Sequence, residues 1–89
     1  MSYFLEITRR AEKDLDQLDR VAEKQVRERL KMLSLQPTSP QFSQPVKMAA
    51  GERKSRVREW RIFFEIDESN RKIVILSVRH RRQAYRDLK

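Results

Sequence analysis

The sequence predicts an α+β fold, ordered β-α-α-β-β-β, with a helical hairpin packed on a small, mostly antiparallel sheet. Three observations carry this. Two apolar stripes of helical period follow one another in the first half of the chain. All three prolines then sit in one uncharged segment, Gln36 to Pro45. After it the apolar pattern changes to a period of two. With 89 residues the chain has room for one domain, taken as residues 1–89.

Ser2 to Thr8, "SYFLEIT", reads as a short strand of aromatic and β-branched residues. Thr8 is placed to cap a helix in which Ala11, Leu15 and Leu18 share one face. Asp19 stands where that helix stops and the next starts. Ala22, Val26, Leu30 and Leu33 repeat the stripe, backed by charged residues. Only a few residues join the two, so they pair as an antiparallel hairpin with its apolar side on the sheet. Pro37 ends the second helix, and Gln36 to Pro45 is a loop. "VKMAAGERKS" reads as a short strand with a turn at Gly51, the lone glycine.

From Arg56 onward Trp60, Ile62, Phe64 and Ile66 fall on one strand face, and Glu59, Arg61, Phe63 and Glu65 on the other. Asp67 to Lys72 is a turn centred on Ser69 and Asn70. Ile73 to Val78, apolar on both faces, is an interior strand hairpinned to the one before it. Lys54, Arg56 and Arg58 have strand parity opposite to Arg61. They share its surface only if a bulge intervenes near Arg58–Glu59.

Composition narrows the function classes. There are no cysteines and one histidine, which removes disulfide frameworks and thiolate metal sites, so no metal or other cofactor is expected. No apolar run approaches the length of a membrane span and no signal-peptide pattern opens the chain, so a cytoplasmic location is expected. The charge of +8 is uneven. Residues 1–46 carry 8 basic and 7 acidic side chains, whereas residues 47–89 carry 13 and 6. The second half is therefore a cationic surface, rich in the arginine that suits bidentate phosphate contacts and base stacking. Plain solubility and an acidic protein partner are the simpler explanations of the same charge.

RNA can be cut without a metal when the neighbouring 2′-hydroxyl attacks phosphorus. A base takes the hydroxyl proton, an acid protonates the leaving 5′-oxygen, and cations hold the charge that builds on the phosphate. Lys54, Arg56, Arg58, Arg61, Arg79, Arg81 and Arg82 offer cations, and His80 and Tyr85 offer proton carriers beside them. Each has a structural alternative. His80 can be a hydrogen-bonded residue at a strand end, Tyr85 can cover the sheet edge, and Glu59 or Glu65 can pair with Arg61.

"SRVREWRIFFEID" (Ser55 to Asp67), followed by "VILSVRHRRQAYR" (Val74 to Arg86), resembles the RelE/ParE superfamily of bacterial toxins. "YFLEITRRAEKDLDQL" is similar to that family's opening strand and first helix. The resemblance implies a toxin of a toxin–antitoxin module, a metal-independent endoribonuclease that cuts mRNA in the ribosomal A site and inhibits translation. It places catalytic roles on Lys54, Arg61, Arg81 and Tyr85, and Arg56 matches the arginine heading the motif strand. Arg61 and Arg81 would grip the scissile phosphate, while Tyr85 would orient or deprotonate the 2′-hydroxyl or stack on a base. His80 is an added candidate for proton transfer. Lys47, Arg53, Arg58, Arg79, Arg82 and Arg86 are the expected RNA contacts. The implied partners are mRNA on the ribosome and a cognate acidic antitoxin protein.

The chain departs from the family pattern at three places. Arg58 stands where glycine is common, Glu52 stands where some members carry lysine, and Arg81 and Tyr85 are closer together than in some members. Two other function classes compete: a ParE-like inhibitor of DNA gyrase that cuts nothing, and a non-catalytic, basic RNA-binding domain.

Overall fold

A computed structural model describes residues 2–83. The elements are β1 (Phe4–Ile7), α1 (Arg9–Asp16), α2 (Arg20–Leu35), β2 (Gln44–Pro45), β3 (Glu52–Val57), β4 (Trp60–Asp67) and β5 (Lys72–His80). A short helical turn follows at 81–83. The sheet runs β1-β5-β4-β3-β2, with β1 parallel to β5 and every other pair antiparallel. The α+β architecture expected from the sequence is the one found, with one more strand.

Both helices start at side-chain caps. Thr8 Oγ1 accepts from the Ala11 amide at 3.2 Å, and Asp19 Oδ1 accepts from the Ala22 amide at 2.8 Å. The helical stripes supply Ala11, Leu15, Val26, Leu30 and Leu33 to the core, where they meet Val57, Ile62, Phe64, Ile73, Ile75 and Val78 from the sheet. Arg29 ties α2 to β3 by donating to Ser55 Oγ (2.9 Å) and to the Arg56 carbonyl (2.6 Å). Its guanidinium also lies 5.4 Å from the centre of the Phe42 ring, and burial pushes its pKa down.

The strands differ from expectation in two respects. Residues 47–51 form turns, not a strand, and the pairing begins earlier, at the two-residue β2. Pro45 is tolerated there because β2 is an edge strand. The strand expected to run on from Arg56 is split by a two-residue turn at Arg58–Glu59, which pairs Val57 with Trp60. Arg58 adopts φ 56°, the positive value that the hairpin-favouring primed turns require. This is the physical reason glycine suits the position.

β5 carries an extra residue. Phe63 pairs with Ser77 and Phe64 with Ile75, so Leu76 has no partner on β4. Beyond Ile75, β1 no longer covers β5. Side chains at the start of the helical layer take over the backbone groups there. Thr8 Oγ1 donates to the carbonyls of Ile75 (2.8 Å) and Leu76 (3.2 Å), and Asp14 Oδ2 accepts from the Val78 amide at 2.9 Å.

Two outcomes follow for stability. Asp14→Ala strands the Val78 amide and is expected to cost about 1–3 kcal/mol, read as a lower urea midpoint at unchanged m. Arg58→Gly removes a left-handed strain and is expected to raise stability by roughly 0.5–1 kcal/mol, net of the extra freedom glycine gives the unfolded chain. A fall in the midpoint would show that Arg58 is held there by contacts worth more than the strain.

Candidate functional site

Residues paired directly across antiparallel strands point to the same face of a sheet. Arg56 pairs with Arg61, and Arg61 pairs with Arg79, so the three form one row across β3, β4 and β5. This row lies on the face turned away from the helices, because its neighbours in sequence, Val57, Ile62 and Val78, enter the helix-covered core. The next row on that outer face is Lys54, Phe63 and Ser77. Val46 and Phe63 form a small buried cluster beside it, against which Ala49 and Leu76 pack. The Leu76 bulge brings both Leu76 and Ser77 toward the outer face.

The two-residue turn achieves what the sequence makes conditional on a bulge: Lys54 and Arg56 share a face with Arg61. It also produces a contrast further along. The next outer row pairs Glu52 with Glu65, and Glu65 with Val74, which is in turn paired with Glu6. The outer face therefore has a basic end at the β3–β4 turn and an acidic end near residues 67–72. At the acidic end Lys72 Nζ meets Glu6 Oε1 at 2.8 Å, and that hydrogen bond raises the lysine pKa. Hydrogen bonds from Asn70 hold the Asp67 carboxyl below the usual carboxylate range.

Arg61 is the buried member of the basic row, only 9% exposed. Neither Glu59 nor Glu65 pairs with it. Its Nη1 instead donates to the carbonyls of Arg58 and Trp60, each at 2.9 Å. Two bonds to the backbone of the neighbouring turn fix the guanidinium plane, which carries three further N–H donors on Nε and Nη2. Arg56 is exposed, and Lys54 and Arg79 are half-buried. A buried, oriented cation flanked by more accessible ones is a geometry suited to a phosphate.

The other expected residues are dispersed. Arg53 pairs with Phe64 on the helix side, where its Nε donates to Ser43 Oγ at 2.8 Å and its Nη2 to the Ser43 carbonyl at 3.3 Å. That arginine pins the proline-bearing loop to the sheet. Lys47 lies in the exposed turn before β3, and Arg58 in the β3–β4 turn. His80 pairs with Trp60, which puts it on the face opposite the arginine row. The two rings meet edge to face, with centroids 5.3 Å apart. Arg81 and Arg82 open the turn at 81–83. Arg81 also borders a cleft of about 650 Å3 between the β3–β4 turn and the start of α2. Tyr85 and Arg86 lie outside the described residues.

Sequence reading put Phe63 and Glu65 on the Arg61 face but gave them no part in the site, and it did not foresee their pairing with Lys54 and Glu52. Phe63 stands between Lys54 and Ser77, an aromatic side chain within the basic end. Its place could be read from its alternation with Ile62 and Phe64, but its nearness to Lys54 required the pairing register.

The fold is shared with solved toxins. The toxin–antitoxin complex RelBE2 of Mycobacterium tuberculosis contains a chain 28% identical, with a TM-score of 0.79, over 91% of this chain and 100% of that one. Free Escherichia coli RelE, in an arginine-substituted form, gives a TM-score of 0.80 at 18% identity, over 96% of this chain and 90% of that one. The archaeal RelE–RelB complex of Pyrococcus horikoshii gives 0.77 at 19% identity, over 91% and 97%. No curated protein sequence matches the chain significantly. A family model, the ParE toxin of the type II toxin–antitoxin system parDE, matches residues 5–85. The chain thus belongs to the ParE toxin family of type II toxin–antitoxin systems, within the RelE/ParE superfamily.

Proposed function

We propose that this toxin is a metal-independent endoribonuclease acting on mRNA in the ribosomal A site. The observation that carries the reading is the pair Arg56 and Arg61, two like charges directly opposite one another on adjacent strands, with Arg79 continuing the row on β5. Like charges directly opposite one another repel, and an anion between Arg56 and Arg61 relieves the repulsion. A bridging phosphate supplies that anion, and its charge grows as the 2′-oxygen attacks.

The roles follow from position. Arg61, held by two carbonyls, presents oriented donors to the scissile phosphate without reorganising. Arg56 and Lys54 track the adjoining phosphates, and Phe63 borders the site where a base would lie. Arg81 adds charge from the end of β5; the very high pKa of a guanidinium favours charge stabilisation over proton donation there. Tyr85, outside the described residues, takes its role from the family resemblance alone, as the group that orients or deprotonates the 2′-hydroxyl or stacks on a base. The partner that neutralises this surface is a cognate antitoxin, as the RelBE2 toxin–antitoxin complex suggests; the cationic face calls for an acidic segment on it.

The family model favours a second reading, since it is a ParE model: an inhibitor of DNA gyrase that cleaves nothing. Primer extension on translated mRNA after induction separates the two. The nuclease produces new 5′ ends within codons, whereas the inhibitor leaves mRNA intact and induces the DNA-damage response. Within the first reading, Arg61→Ala and Arg81→Ala are each expected to lower cleavage by about 10²–10³-fold. Arg61→Lys is expected to restore little, because one ammonium cannot keep both carbonyl bonds and face the phosphate in a fixed plane. Wild-type cleavage in Arg61→Ala would end the proposal.

A further inference from the structure

The β3–β4 turn holds more than Arg61. Its Glu59 carbonyl accepts from the Arg81 amide at 2.7 Å. Its Glu59 carboxylate lies 3.4 Å from His80 Nε2. On the other side of the ring, His80 Nδ1 accepts from the Arg82 amide at 3.3 Å. Three consecutive residues, Arg58, Glu59 and Trp60, therefore anchor two separate parts of the basic surface. The carbonyls of Arg58 and Trp60 take the Arg61 guanidinium. Glu59 takes His80 and the Arg81 amide, and His80 in turn takes the Arg82 amide, where β5 ends and the turn at 81–83 begins.

The hydrogen bonds assign the histidine's tautomer. A ring nitrogen that accepts from an amide carries no proton, so in the neutral ring the proton is on Nε2 and points to Glu59. Both nitrogens are then occupied, and the ring is packed against Trp60 on the face opposite the arginine row. A proton carrier needs a nitrogen facing the reacting hydroxyl. We infer that His80 is a positioning residue, which together with Glu59 clamps the end of β5 to the β3–β4 turn and so fixes Arg81 relative to Arg61. This rests on the proposed nuclease reading for its effect on activity, but the clamp itself is a property of the folded chain.

The test compares His80→Ala, His80→Gln and Glu59→Ala in the full chain, alongside wild type. Glutamine can accept at one end and donate at the other, as the clamp requires, but it cannot carry a proton as imidazole does. Misplacement of a site group by about 1 Å costs on the order of 10²-fold in rate. His80→Ala is therefore expected to lower mRNA cleavage by about that factor, while His80→Gln keeps cleavage within about threefold of wild type on the same principle. Amide exchange is the readout independent of activity. His80→Ala and Glu59→Ala are expected to speed exchange at Arg82 and Arg81, with Phe64 in the core unchanged as the control for folding. Wild-type His80 is expected to show the Nε2–H tautomer in its ring ¹⁵N shifts. Equal loss of cleavage in His80→Gln and His80→Ala overturns the inference, as does an Nδ1–H tautomer or unchanged exchange at Arg82. If wild type cleaves no mRNA, the nuclease reading fails, and the exchange rates and tautomer still decide the clamp.

Discussion

The surface of this toxin depends on the pairing register of β3, β4 and β5. Side chains alternate along a strand, so a slip of one residue would send each row to the other face. The register is set at two places: the two-residue turn at Arg58–Glu59 and the extra residue Leu76 in β5. With both in place, Ser55, Val57, Ile62, Phe64, Ile75 and Val78 meet the helices, while Lys54, Arg56, Arg61 and Arg79 gather outside. The core and the charged surface are consequences of one constraint, and the core side enforces it. A slipped register would bury charges and expose phenylalanine and isoleucine.

The same register imposes an electrostatic cost. Arginines face arginines at one end of the outer face, and Glu52 faces Glu65 at the other. Neither arrangement helps the isolated fold. Under the proposed function the Arg56–Arg61 pair is a seat for an anion, and the acidic row would keep a polyanion from spreading along the sheet. The β3–β4 turn joins these ideas, because its backbone holds the guanidinium of Arg61 and the amide of Arg81 while its own Arg58 is strained at φ 56°.

Much of the architecture was legible because its signals are local. The caps at Thr8 and Asp19 and the helical stripes need only neighbours three or four residues apart. The split between β3 and β4 was obscured because arginine, not glycine or asparagine, occupies the left-handed turn position. A trace of it stands in the sequence all the same: Val57 and Trp60 both turn to the helix side, although they stand an odd three positions apart. The bulge was hidden differently. Ile73, Ile75 and Val78 break the period of two, but the run "IVILSV" is so apolar that alternation does not show. The anchors of Arg61 were beyond sequence reading, since backbone carbonyls leave no mark in residue identity. The role of His80 is equally hidden in the sequence, because its face follows from its pairing with Trp60.

An amide NMR titration with a short 2′-O-methyl RNA, which binds as RNA but lacks the attacking hydroxyl, is the most direct test. The largest shifts are expected at Lys54, Arg56, Arg61, Ser77 and Arg79, weakening steeply with added salt, with little change at Glu52, Glu65 or along α1. Shifts confined to the helical layer, or none in the arginine row at low salt, would contradict the proposed function.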